Sequence, residues 1–102
     1  MNLVQILLPI QDNEGKKFPP ENFRKVQKVL LEKFGGLTAF TQSPAVGLWE
    51  DNQENMAHDE IVIFEVMTDE LDKVWWKNYR ESLEAIFKQD KIIIRSNIID
   101  II

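Results

Sequence analysis

The opening segment Leu3-Val4-Gln5-Ile6-Leu7-Leu8-Pro9-Ile10 constrains the fold more than any other, because only Gln5 interrupts its apolar character. A run this short, rich in Val, Ile and Leu and closing at a proline, reads as a β-strand rather than a helix. Such a strand belongs in the middle of a sheet, so the remainder of the chain must supply its neighbours.

The following residues do so in a regular order. Gln11–Lys17 breaks the pattern with Asn, Gly and charge and reads as a loop. Pro19-Pro20 suits a first helical turn, where a missing N–H costs nothing. From Glu21 to Phe34, apolar residues at Phe23, Val26, Leu30, Leu31 and Phe34 form one helical stripe, and Gly35-Gly36 supplies the C-cap. Leu37–Thr41 is β-prone, Ser43-Pro44 disturbs it, and Val46–Trp49 resumes extended character, as one bent strand or two short ones. Asp51–Asn55 is turn-forming. Glu60–Met67 alternates as a strand, with Val62, Phe64 and Val66 on one face and Ile61, Ile63, Glu65 and Met67 on the other.

Thr68 is placed to N-cap a second helix, with Asp69 and Glu70 in its first turn. That helix runs to about Lys88 and buries Leu71, Val74, Trp75, Tyr79, Leu83, Ile86 and Phe87. Trp75 and Trp76 differ by about 100° in direction, so one packs inside and the other at the margin or against a partner. Tyr79 and Arg80 lie within reach of them for stacking or cation–π contact. Lys91–Arg95 is the last strand. The order β-α-β-(β)-β-α-β is the α+β, ferredoxin-like split βαβ sandwich, a single domain over residues 1–102. Its antiparallel sheet has the strand order 4-1-3-2 and carries both helices on one face.

Composition removes several functions. The 12 basic residues are outnumbered by 17 acidic ones, a net charge of −5, which disfavours nucleic acid and anionic membrane surfaces. No cysteine and one histidine argue against a metal site or a thiol nucleophile, and no cofactor is expected. The chain shows neither a G-x-G-x-x-G nor a P-loop pattern, and Ser43, Ser82 and Ser96 lack nucleophile-elbow surroundings. The apolar runs fall far short of the ~20 residues that span a bilayer, and no basic n-region opens the sequence, so a soluble, cytoplasmic protein is expected.

Alternation leaves Leu3, Gln5, Leu7, Ile61, Ile63, Glu65, Met67, Ile93 and Arg95 on the sheet face without helices. An apolar patch of this kind calls for cover, and a homodimer joined sheet to sheet or edge to edge supplies it. The tail Asn97–Ile102, with isoleucines at 98, 99, 101 and 102, strengthens the need, packing on the sheet or on a partner subunit. The other solution folds the β2–β3 excursion back over the face.

Three polar residues share that face, Gln5, Glu65 and Arg95. One reading makes them a Glu65–Arg95 ion pair with Gln5 as hydrogen-bonding neighbour, setting the register of a dimer. The other makes them a small-molecule site, in which Arg95 holds an anionic group, Glu65 accepts a proton or hydrogen bond and Gln5 orients the ligand. Trp49, after the permissive Gly47, walls such a pocket or shields a sheet edge. His58 stands beside Asp59 and Glu60, which favour its charged form, and is either a rim residue or an idle loop histidine.

The phrases Phe34-Gly35-Gly36-Leu37-Thr38-Ala39-Phe40-Thr41, Gly47-Leu48-Trp49, Asp59–Met67 and Trp75-Trp76-Lys77-Asn78-Tyr79-Arg80 resemble a family of small uncharacterised bacterial proteins. More distantly, size and topology are similar to dimeric α+β barrel proteins, which include cofactor-free oxygenases, haem-degrading enzymes and lactone isomerases. The asparagine, tryptophan and histidine set of the haem-degrading branch is missing. The residues thus point to a homodimeric small-molecule-binding or assembly module. The alternative is a metal-free barrel-type enzyme, an oxygenase or isomerase, for a small hydrophobic or aromatic substrate.

Overall fold

The computed structural model describes the backbone of residues 1–50 and 56–102, and the side chains of residues 1–40 and 60–102. Its elements run β1 (Asn2–Pro9), α1 (Pro20–Phe34), β2 (Thr38–Glu50), β3 (Met56–Thr68), α2 (Lys73–Ile86) and β4 (Ile93–Ile98). The sheet order is β2-β3-β1-β4, with antiparallel pairing throughout. This is the ferredoxin-like arrangement that the residue pattern implies.

One core lies between sheet and helices. It joins Val4, Ile6 and Leu8 of β1 to Val62, Phe64 and Val66 of β3, Val26 and Leu30 of α1, Trp76 and Leu83 of α2, and Phe87 and Ile92 beyond it. Every second residue of β1 and β3 enters it because successive strand side chains point to opposite faces. Helix α1 ends at Gly35, whose N–H still donates to the Leu31 carbonyl oxygen at 2.9 Å while its φ of 77° turns the chain out of the helix. Between β1 and α1, the Asp12 carboxylate accepts from the Glu14 and Lys16 N–H groups, both at 2.9 Å. The Lys16 hydrogen bond leads the causes that hold its pKa below the ordinary carboxylate value.

Strand β2 is continuous from Thr38 to Glu50, and its register on β3 shifts between Phe40 and Ala45. That stretch contains Pro44, which has no N–H to give the ladder. Ala45–Glu50 pairs with Met56–Ile61, so this excursion extends the sheet as a hairpin arm. The Asp51–Asn55 turn lies outside the described residues.

The start of α2 differs from the sequence expectation. Its N-cap is Asp72, whose carboxylate accepts the Trp75 N–H at 3.0 Å. Thr68 is still the last residue of β3, paired with Asn2, and its hydroxyl donates to the Glu70 carbonyl oxygen at 2.8 Å. Asp69 and Glu70 therefore precede the helix. The later start places Trp76 in the core and Trp75 at its margin. Val74, two residues and about 200° from Trp76, is 71% exposed, and Ile86 is also exposed. Strand β4 likewise begins at Ile93, two residues later than Lys91, and continues to Ile98.

An aromatic cluster closes the end of α1 over α2. Phe34 stacks on Trp76 with centroids 5.3 Å apart, and Trp75 meets Trp76 edge-on at 4.8 Å. Tyr79 stacks on Trp75 at 5.0 Å, but the cation over Trp75 is Lys33, 4.6 Å from the ring centroid, and not Arg80. Arg80 instead lies 3.9 Å from Glu84.

Burial pushes the Tyr79 hydroxyl up to about 12. Its folded pKa exceeds its unfolded one, so the stabilising contribution is whole below pH 10 and is lost as pH rises towards 12. Tyr79 is the sole tyrosine. Ultraviolet absorbance should therefore follow one phenolate transition with a midpoint near 12 in the folded protein, and one near 10 in urea. A folded-state midpoint at the unfolded value would contradict the burial of this hydroxyl.

Candidate functional site

The sheet face without helices is organised in rows set by strand register. One row is apolar across all four strands: Phe40 faces Ile63, Ile63 faces Leu7, and Leu7 faces Ile93. Phe40 and Ile93 are half exposed, and Met67, further along the same face, is 51% exposed.

The neighbouring row is polar. Thr38 faces Glu65, Glu65 faces Gln5, and Gln5 faces Arg95. Alternation along the strands brings the last three together, and the structure joins them with a specific chemistry. The Gln5 Nε2 donates to Glu65 Oε1 at 2.5 Å, and Arg95 Nε donates to Gln5 Oε1 at 2.8 Å. The expected direct Glu65–Arg95 ion pair does not form among the described residues. Strand β1 separates β3 from β4 by two strand spacings of about 4.8 Å, and the Gln5 side chain occupies the space between the two charges. The Gln5 carboxamide fits the gap because it offers an acceptor to the cation and a donor to the carboxylate. It therefore couples the charges in a fixed order.

This arrangement leaves chemistry unused. Among the described residues, Glu65 Oε2 and the terminal Arg95 nitrogens have no hydrogen-bond partner. A ligand or a second chain approaching the face meets a cation and an acceptor held two strands apart, flanked by an apolar row. Thr38, at the end of the polar row, escaped the sequence reading because the β2 register was not legible there.

The other proposed rim residues are located by backbone alone. His58 pairs with Leu48, and Trp49 with Ala57, along the β2–β3 arm. Their side chains lie outside the described residues, as does any contact with the polar row. No group of three or more potential metal ligands occurs among the described residues. Among them, no helix is long and apolar enough to cross a membrane. The tail residues Ile98, Ile101 and Ile102 are exposed in the single chain, and the Ile99 N–H donates to the Met1 carbonyl oxygen at 2.9 Å.

No family model and no curated protein matches this chain. Solved structures do. A phage SAM lyase in complex with S-methyl-5'-thioadenosine is similar over 94% of this chain and 79% of its own, with a TM-score of 0.61 and 13% identity. A point mutant of CutA1 from Pyrococcus horikoshii OT3 is similar over 100% of this chain and 86% of its own, with a TM-score of 0.57 and 19% identity. At such identities the likeness is one of fold, and in fold this chain is a small ferredoxin-like α+β protein.

Proposed function

We propose that this chain is a self-associating, small-molecule-binding module whose open sheet face packs on a second copy, with the Glu65–Gln5–Arg95 row at the interface. The observation that carries this reading is the combination of an apolar row, half exposed at Phe40 and Ile93 among the described residues, and a hydrogen-bonded charged row side by side on one face. The apolar row supplies the driving force for association, and the polar row supplies register and ligand recognition. The exposed tail isoleucines add to the surface that a partner subunit covers. Recognition needs no metal or cofactor in this reading. A cytoplasmic location and kinship with small bacterial proteins belong to the same proposal.

Native mass spectrometry of the protein at low micromolar concentration and neutral pH tests it. The expected mass is twice the 12.0 kDa of one chain, and a monomer overturns the reading. Glu65→Gln and Arg95→Met then separate the roles of the row. Variants that stay dimeric but lose a retained small molecule mark a ligand site, whereas loss of the dimer marks a register pair alone.

A second reading, a metal-free enzyme acting on a small substrate, draws support from the phage SAM lyase that shares the fold along nearly the whole chain. Incubation with SAM and detection of S-methyl-5'-thioadenosine by mass spectrometry addresses that chemistry directly. Product formation abolished by Glu65→Gln or Arg95→Met would favour the enzyme.

A further inference from the structure

A second concavity lies away from the open face, between α2 and the edge strand β4, with a cavity volume of about 170 Å³. Lys73, Lys77 and Arg80 line it from α2, and residues 94–96 line it from β4. Residues 73, 77 and 80 fall on one helical stripe, since side chains three and four apart are neighbours on a helix. Antiparallel pairing brings Ser96 opposite the buried Val4, on the helix side of the sheet. The Arg95 side chain turns the other way, to Gln5 on the open face. Trp76 and Ile94 form an apolar wall.

The charge distribution is what singles this pocket out. The chain carries a net charge of −5, yet one helical stripe sets three of its 12 basic residues around this cavity. Among the described residues, only Arg80 of the three has a carboxylate nearby, Glu84 at 3.9 Å, and the same Glu84 oxygen accepts the Ile92 N–H at 2.9 Å. Lys73 and Lys77 have none within ion-pairing distance among the described residues. Gathered like charges repel one another, and an anion between them relieves that cost with charge-assisted hydrogen bonds.

We propose that this pocket binds the phosphate group of a small phosphomonoester. The oxyanion sits among Lys73, Lys77 and Arg80, with the Ser96 hydroxyl as a further donor, and the organic part lies against Trp76 and Ile94. The cavity is smaller than the roughly 300–1,000 Å³ of drug-sized sites, which suits a phosphate head with a compact body. The pocket is complete within one chain, so phosphate binding does not depend on self-association.

Two-dimensional amide NMR with inorganic phosphate and with phenyl phosphate tests it, at constant ionic strength held by sodium chloride. Saturable shifts are expected at the Trp76 indole N–H and at the amides of residues 73–80 and 94–96, with phenyl phosphate binding more tightly than inorganic phosphate. The exposed pair Lys73→Gln with Lys77→Gln should weaken binding at least about tenfold, with unfolding midpoint and oligomer mass unchanged. Lys25→Gln with Lys28→Gln, on α1, should bind as the parent does. Shifts that do not saturate, or that chloride alone reproduces, overturn the proposal. So does a doubly substituted α2 variant that binds like the parent. Should that variant unfold, Lys77→Gln alone decides by the same comparison.

Discussion

Phe64→Ala should lower the unfolding free energy by about 3–5 kcal/mol, the range for deleting a buried aromatic side chain. Phe64 is fully buried, lies on a central strand opposite Ile6, and is among the largest side chains that solvent does not reach. Truncation removes its apolar area from the core and leaves a void that a close-packed interior fills only in part. A domain of this size has about 5–15 kcal/mol of stability in all, so the loss is a large share of the total. Urea unfolding followed by far-ultraviolet circular dichroism measures the change. Val74→Ala, at a side chain 71% exposed, should move the same curve by no more than about 0.5 kcal/mol. Equal effects at the two positions would contradict the observed helix phase and core.

One residue away on β3, Ile63→Lys should do the opposite: keep the fold and abolish the self-association proposed above. Ile63 faces Leu7 on one side and Phe40 on the other, at the centre of the apolar row. In the single chain a lysine there extends into water with little cost. In a face-to-face dimer its ammonium would be buried without a partner, a penalty of several kcal/mol per charge. The dimer dissociation constant should rise at least about 100-fold, while the urea midpoint of the chain stays within the range of surface substitutions. Sedimentation equilibrium across a concentration series reads the first quantity. A variant that associates as tightly as the parent would place the interface elsewhere, for instance on an exposed sheet edge.

These two neighbours show what was legible in the sequence. Alternation along Glu60–Met67 puts Phe64 and Ile63 on opposite faces because the period of two belongs to the strand backbone itself, and the topology, with both helices on one side, then assigns Phe64 to the core and Ile63 to the open face. The same logic, combined with the strand order of the fold, brings Gln5, Glu65 and Arg95 into one row. It does not say that Gln5 stands between the charges as a bridge, since that depends on how far apart two non-adjacent strands lie.

Helix phase was less accessible. Thr68 and Asp72 are both sound N-caps by local chemistry, and the choice fell to Asp72 because Thr68 is held in the ladder opposite Asn2, at the far end of the sequence from it. That start turned Trp76 inward and left Val74 in water. Nothing in the sequence marks Lys73, Lys77 and Arg80 as a site, and their pocket exists only once β4 brings Ile94 and Ser96 alongside. Backbone periodicity and short-range capping act between near neighbours, so the residue order alone was enough for the elements, their succession and the inward-facing strand positions. Where α2 begins, which charges meet and where a cavity opens depend instead on pairings between residues far apart in the chain, and those exist only in the folded molecule.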